Sequence, residues 1–306
     1  MPSGTRVAAI DCGTNSLRLL VTDIGPDRKN DVVREMRVVR LGQDVDRTGR
    51  FAPEALARTL QVTREYAELA TMLGAQRVRF CATSAARDAA NADELAEGVR
   101  TALGVPLEIL TGDDEAAASF LGATHDIGSG SALVLDIGGG STELVTGADG
   151  QVGWSTSLDI GSVRLTERFL PSDPPSVPEV AECEAFLDAL LAEPVAQAGR
   201  VERLIGVAGT VTTVAAHALA LPSYDSDAIH GATLTVDDLR SACHDLLSRT
   251  VADRRALPFM HPGRADVIGA GALILDRVLD KVDLQDQTVV VSEHDILDGI
   301  AWGAVA

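Results

Sequence analysis

Lysine is almost absent from this chain: Lys29 and Lys281 are the only two in 306 residues. Any anion it binds must be met by backbone N–H groups, hydroxyls and arginine, whose planar fork suits phosphate oxygens. Aromatic residues make up 3%, too few for stacking platforms beneath nucleic-acid bases. The four cysteines (Cys12, Cys81, Cys183, Cys243) form no Cys-x-x-Cys pair, and the six histidines are scattered. That argues against a disulfide scaffold or structural zinc, and for a reducing, cytoplasmic compartment. No uninterrupted apolar run is long enough to span a membrane. The N-terminus runs almost directly into strand-like residues, without a charged-then-apolar signal. Basic charge is scarce too, with a net charge of −19. Residues 1–125 carry 15 Arg/Lys against 18 Asp/Glu, and residues 126–306 carry 11 against 27. A nucleic-acid binder needs a basic field, so no nucleic-acid or membrane partner is expected. An anionic ligand would be drawn to the first half. The P-loop Gly-x-x-x-x-Gly-Lys-[Ser/Thr], the Gly-x-Gly-x-x-Gly fingerprint and the Gly-x-Ser-x-Gly elbow are all missing, which removes three large enzyme classes.

What is present is one motif, twice. In Val134-Leu-Asp-Ile-Gly-Gly-Gly-Ser-Thr-Glu-Leu-Val145 an apolar run ends on Asp136, then come Gly138, Gly139, Gly140, Ser141 and Glu143. The pattern predicts strand, tight glycine turn, strand. Such a turn can aim successive N–H groups into one concavity, an anion nest. Asp136 and Glu143 would repel a bare phosphate there, so they imply a divalent cation. Ala9-Ile-Asp-Cys-Gly-Thr-Asn-Ser-Leu-Arg-Leu-Leu-Val21 aligns on this stretch without gaps, 125 residues earlier. Asp11 falls on Asp136, Gly13 on Gly138, Ser16 on Ser141, and Arg18 on Glu143, with Thr14 and Asn15 inside the turn. That spacing suits a duplicated domain, and about two domains fit the length. The two hairpins are expected to face each other across a cleft and hold one phosphate chain.

Strands and helices alternate elsewhere, which predicts an α/β fold. Asp31–Leu41 reads as a strand whose Arg34, Arg37 and Arg40 lie on a solvated face. Pro53 opens an amphipathic helix. The strand Arg77–Ala82 delivers Thr83, Ser84 and Arg87, and the next helix can be capped by Asn91 and Glu94. Hydroxyls and an arginine past a strand end sit where α/β folds bind ligands; alone, Ser84 reads better as a helix cap and Arg87 as surface. Glu115 falls in the first turn of a helix running from about Thr111 to Thr124, where the helix dipole alone would justify it. Asp159-Ile-Gly-Ser-Val-Arg164 is another glycine-and-hydroxyl turn entering a helix. A proline-rich linker precedes a long helix beginning at Glu179. Gly209 and Thr210 lie at a strand–turn–helix junction, a second kind of anion site. Ala265–Leu279 reads as helix, and the last helix is expected from Glu293.

The duplicated Asp-x-Gly hairpins resemble the acetate and sugar kinase, heat-shock and actin superfamily, with its two ribonuclease-H-like (actin-like) domains. Within it, five motifs in order (Asp11–Arg18, Ala82–Arg87 with Asn91, Thr111–Ala116, Asp136–Glu143 and Gly206–Thr210) are similar to the exopolyphosphatase and guanosine pentaphosphate phosphohydrolase family. That resemblance implies a short, two-domain member with residues 1–128 and 129–306 as domains and residues 293–306 packing back on the first. It ends before the helical domain that longer members append. It implies Glu115 as catalytic base, with Asp114 departing from the family's acid at the preceding position. Arg87 and Ser141 become phosphate contacts, together with Gly13, Thr14, Asn15, Ser16, Arg18, Thr83, Ser84, Gly138, Gly139, Gly140, Gly209 and Thr210. Asp136 and Glu143, with Asp11, become the acids for Mg2+, with Mn2+ as the alternative. The implied activity is release of terminal phosphate from polyphosphate, short chains above all, by a cytoplasmic homodimer. Guanosine pentaphosphate is the alternative substrate. An ATP-using kinase of the superfamily and a nucleotide-binding filament remain as rivals, distinguishable by ADP formation and by sedimentation.

Overall fold

The structure is a computed structural model and describes residues 4–25, 29–125, 127 and 130–305; the domain boundary expected near Ser129 lies outside them. Two compact units divide the chain, Met1–Gly122 with Ile296–Ala306, and Ala123–Asp295.

In the first unit β1 (Thr5–Cys12), β2 (Ser16–Ile24), β3 (Lys29–Val38), β4 (Arg77–Ala82) and β5 (Leu107–Ile109) form one sheet in the order β3-β2-β1-β4-β5. The pairs β1–β2 and β2–β3 are antiparallel, while β1, β4 and β5 run parallel. Strand β1 is central and covered on both faces, which is why it reads as a nearly unbroken apolar run. Its Ala8, Ile10 and Cys12 share a core with Leu56 and Tyr66 of the helix Pro53–Met72 and Leu95 and Val99 of the helix Ala92–Leu103. On the opposite face Val7 and Ala9 pack with Ile296, Leu297 and Ile300 of the helix Ile296–Gly303. Gly299 permits this seat, since a Cβ there would fall 1.9 Å from the Ala118 carbonyl oxygen.

The second unit contains β6 (Ser131–Ile137), β7 (Thr142–Ala148), β8 (Gln151–Leu158), β9 (Arg200–Val201), β10 (Leu204–Val207), β11 (Thr233–Thr235), β12 (Asp283–Leu284) and β13 (Thr288–Val291). Six of these form the sheet β11-β13-β10-β6-β7-β8, and β9 pairs with β12. Taken from β8 inward the order is third, second, first, fourth, fifth, as in the first unit. Strand β11 is added antiparallel at the far edge. This repeated order is the α/β architecture of paired ribonuclease-H-like halves that the motifs implied. No helix among the described residues is long and apolar enough to cross a membrane.

Three local expectations are corrected. Strand β3 stops at Val38 rather than Leu41, because Arg40 adopts φ 51° and turns the chain back toward the first hairpin. The long helix begins at Val177, with Pro178 in its first turn, where a missing N–H costs nothing. Its Glu179 side chain accepts the Ser176 N–H at 2.7 Å. Asn91 occupies a cap position but its side chain makes no cap bond. Its carboxamide oxygen instead accepts the N–H of buried Phe51 at 2.8 Å, satisfying a backbone group that no strand reaches.

Candidate active site

Parallel strands align their C-terminal ends on one sheet edge, where α/β folds carry ligands. In the first unit Cys12 is level with Ala82, and Ala82 with Ile109. The Gly13–Ser16 turn, Thr83–Arg87 and Thr111–Glu115 all leave from that edge. Within the turn Gly13 N–H donates to the Ser16 carbonyl at 3.0 Å. The Thr14 carbonyl accepts from Gly42 N–H, and the Asn15 carbonyl from both Val39 and Arg40. Across a planar trans peptide the C=O and the following N–H point opposite ways. With these carbonyls tied to residues 39–42, the N–H groups of Asn15 and Ser16 face away from that segment. The Thr14 methyl lies where a Cβ on Gly42 would be, 2.2 Å from it.

Arg87 and Glu115 meet directly. Arg87 Nη1 donates to Glu115 Oε2 at 2.6 Å and to the Leu110 carbonyl at 3.0 Å. Glu115 is 7% exposed, and Thr83 and Ser84 beside it are buried. The cap position falls on Thr83, so Ser84 opens its short helix instead of capping it. The neighbouring acid does something else: Asp114 Oδ2 accepts from Thr111 Oγ1 at 2.7 Å and closes the helix start. Asp11 and Arg18 stand opposite each other in the β1–β2 ladder, and Arg18 donates to Asp11 Oδ2 from both Nε (2.9 Å) and Nη2 (2.6 Å).

The second unit repeats the frame. Gly138 N–H donates to the Ser141 carbonyl at 3.0 Å, as Gly13 does to Ser16. The turn Gly161–Arg164 supplies the partners for the loop carbonyls. Ser162 N–H reaches Gly138, while Val163 and Arg164 N–H reach Gly139. Arg164 Nε reaches the Gly140 carbonyl at 2.9 Å. By the same peptide geometry the N–H groups of Gly139, Gly140 and Ser141 face away from that turn. Val207 is level with Asp136, which sets the Gly209–Thr210 junction beside the loop. Gly271 closes the group, since a Cβ there would meet Thr210 Oγ1 at 2.8 Å and Ser162 Cβ at 3.3 Å.

Asp136 and Glu143 face each other across the β6–β7 ladder, 6% and 1% exposed. Ser157 Oγ donates to Glu143 Oε1 at 2.7 Å. Two buried carboxylates side by side form an all-oxygen donor set of the kind Mg2+ and Mn2+ prefer. The residues therefore fit such an ion. Asp11, in the first unit, already has its Oδ2 engaged by Arg18.

Two site residues were not singled out from the sequence. Arg164 was visible only as an arginine after a glycine turn. Arg264 carried no signal: its guanidinium fills the space above Gly209, where a Cβ would fall 2.2 Å from Nη2, and its Nη1 donates to Thr213 Oγ1 at 2.7 Å.

Comparison with known proteins then supplies a context. A family model described as the Ppx/GppA phosphatase family matches residues 20–304. Exopolyphosphatase 2 of Mycobacterium tuberculosis is 48% identical, over 97% of this chain and 98% of its own length. Among solved structures, an exopolyphosphatase-like protein superposes with a TM-score of 0.92 at 40% identity, covering 98% of this chain and 97% of that one. The Aquifex aeolicus member of the Ppx/GppA family gives 0.83 at 31%, with the same coverage of both chains.

Proposed function

The chain belongs to the Ppx/GppA phosphatase family, and from that premise we propose that it is an exopolyphosphatase, a hydrolase releasing terminal phosphate from inorganic polyphosphate. The observation that carries the reading is the Arg87–Glu115 pair, a buried carboxylate held 2.6 Å from a guanidinium at the ends of parallel strands. Phosphoryl transfer asks for positioning and charge stabilisation more than for covalent chemistry. Glu115 takes the proton of the attacking water on a carboxylate oxygen. Arg87, the Thr83–Ser84 hydroxyls and the Asn15–Ser16 N–H groups hold phosphoryl oxygens from the first unit. In the second unit the Gly139–Ser141 N–H groups and the Gly209–Thr210 junction offer donors of the same kind. The P–O bond to the next phosphate breaks, and that phosphate leaves as the shortened chain. Asp136 and Glu143, with Asp11 as the weaker member, would hold Mg2+ or Mn2+. Such an ion, when bound, offsets the charge of a polyanion.

Phosphate release from polyphosphates of defined length, guanosine pentaphosphate and ATP, measured side by side, tests this. Release from polyphosphate is expected, and Glu115→Gln should lower it about a hundredfold or more while the protein stays folded, the scale of a lost general base. Activity confined to guanosine pentaphosphate would replace the substrate, and ADP formation from ATP would replace the reaction. Near-normal turnover in Glu115→Gln would remove the glutamate from its role.

Short chains are the favoured substrate on the grounds of charge. Residues 126–306 carry 11 Arg/Lys against 27 Asp/Glu. Repulsion at moderate salt reaches about 8–10 Å, several phosphate units. Long chains should shorten distributively, leaving intermediates on a gel; their disappearance without intermediates would overturn this. The family resemblance supports a homodimer in the cytoplasm, and sedimentation velocity would check the dimer.

A further inference from the structure

Every carbonyl of the second glycine loop has a named partner, and all the partners come from one turn. Gly138 and Gly139 are met by backbone N–H groups, whereas Gly140 is met by a side chain, Arg164 Nε at 2.9 Å. In the first hairpin the Thr14 and Asn15 carbonyls are met by the backbone of residues 39–42. The Gly140 carbonyl depends instead on a replaceable group for its orientation. The peptide it belongs to also carries the Ser141 N–H, and a planar peptide moves as a unit. Turning the Gly140 carbonyl toward Arg164 therefore fixes the Ser141 N–H on the opposite face, together with those of Gly139 and Gly140. A glycine peptide left untied can flip, because glycine populates positive and negative φ alike. After such a flip a carbonyl oxygen would stand where the nest needs a donor.

We propose that Arg164 is a positioning residue for phosphate binding: its guanidinium locks the Gly140–Ser141 peptide in the orientation that completes the nest. Arg164 does not touch the phosphate in this reading; it acts from behind the loop. Gly161 serves the same latch sterically. A Cβ at Gly161 would lie 2.4 Å from the Gly139 carbonyl carbon and oxygen and 2.5 Å from Gly140 N, all backbone atoms. Only a glycine there lets the turn approach closely enough for Arg164 to reach. The latch rests on the functional reading in one respect, that the anion in the nest is a phosphate of the substrate.

The test compares Arg164→Met, which cannot donate, with Arg164→Lys, which can. Amide hydrogen exchange at Ser162 and Val163, whose N–H groups are bonded to the Gly138 and Gly139 carbonyls, reads the latch in the ligand-free protein without any substrate. It should rise about tenfold or more in Arg164→Met, the scale of one hydrogen bond from a charged group, and stay nearer the wild type in Arg164→Lys. With short polyphosphate the KM of Arg164→Met should rise by a similar factor, with kcat falling less, and lysine should restore part of it. Unchanged exchange in Arg164→Met would overturn the proposal whatever the substrate. A rise in exchange without any phosphate release from the wild type would keep the latch and sink the exopolyphosphatase reading instead. If Arg164→Met does not fold, Gly161→Ala supplies the second variant; wild-type exchange and KM in that variant would also overturn the proposal.

Discussion

The two hairpins share a ladder register, and the charge of one cross-strand pair sets them apart. In the first, Asp11 stands opposite Arg18 and is ion-paired with it at 2.6 Å. In the second, Asp136 stands opposite Glu143. The Gly–Ser bond across the turn is common to both, yet one hairpin is balanced internally and the other stacks negative charge. An arginine at the opposing position neutralises the aspartate within the hairpin. A glutamate there leaves two buried carboxylates face to face. A single cross-strand position thus sets the charge of the two hairpins apart.

The strongest way to break this comparison is to make the second hairpin electrostatically like the first. Glu143→Arg should pair with Asp136, abolish the need for a cation and lower phosphate release by about a thousandfold, the scale of several kcal/mol of metal-supplied charge stabilisation. A metal titration of activity in that variant checks it, and wild-type turnover at ordinary Mg2+ would separate the acids from metal binding. The reverse disturbance is a matter of stability. Removing the partner of a largely buried carboxylate costs about 3 kcal/mol, so Arg18→Met should lower the denaturation midpoint clearly, with Asp11 6% and Arg18 20% exposed in side-chain terms. A midpoint equal to the wild type would show that the Asp11–Arg18 pair does not balance the hairpin.

The smallest effect concerns pH. All six histidines lie between residues 123 and 295, in the second unit. His261 is held below its usual range by burial, and secondarily by the Arg264 guanidinium; its Nδ1 accepts the Gly263 N–H at 3.1 Å. The folded protein therefore binds that proton less readily than the unfolded chain. Stability should rise with pH through the window below about 6.5 and be lost in part as pH falls through it. Melting curves from pH 7 to 5 should flatten slightly in His261→Gln. An unchanged slope would assign the pH response to other groups.

Glu115 shows how far a sequence can be pressed. Position alone offered a helix dipole as sufficient reason for it, and equally for Asp114; the ordered motifs separated the two. Their geometry explains the separation, since Asp114 closes the helix start on Thr111 while Glu115 meets Arg87. Arg164 was legible as a residue and not as a partner, because a bond to the Gly140 carbonyl 24 residues away leaves no local pattern. The overrun of β3 has a similar cause. Valines and arginines to position 41 read as strand, but the Arg40 backbone at φ 51° serves the hairpin instead.

The α/β class and the two Asp-x-Gly hairpins were decided by the sequence itself, because glycine turns, apolar runs and motif order are local properties that a chain carries unfolded. Tertiary structure decided which groups became partners: Arg18 for Asp11, Arg87 for Glu115, Arg164 for Gly140, and the helix Ile296–Gly303 for the second face of β1. Those pairings depend on sheet order and strand register, which bring distant residues within bonding distance only once the chain has folded.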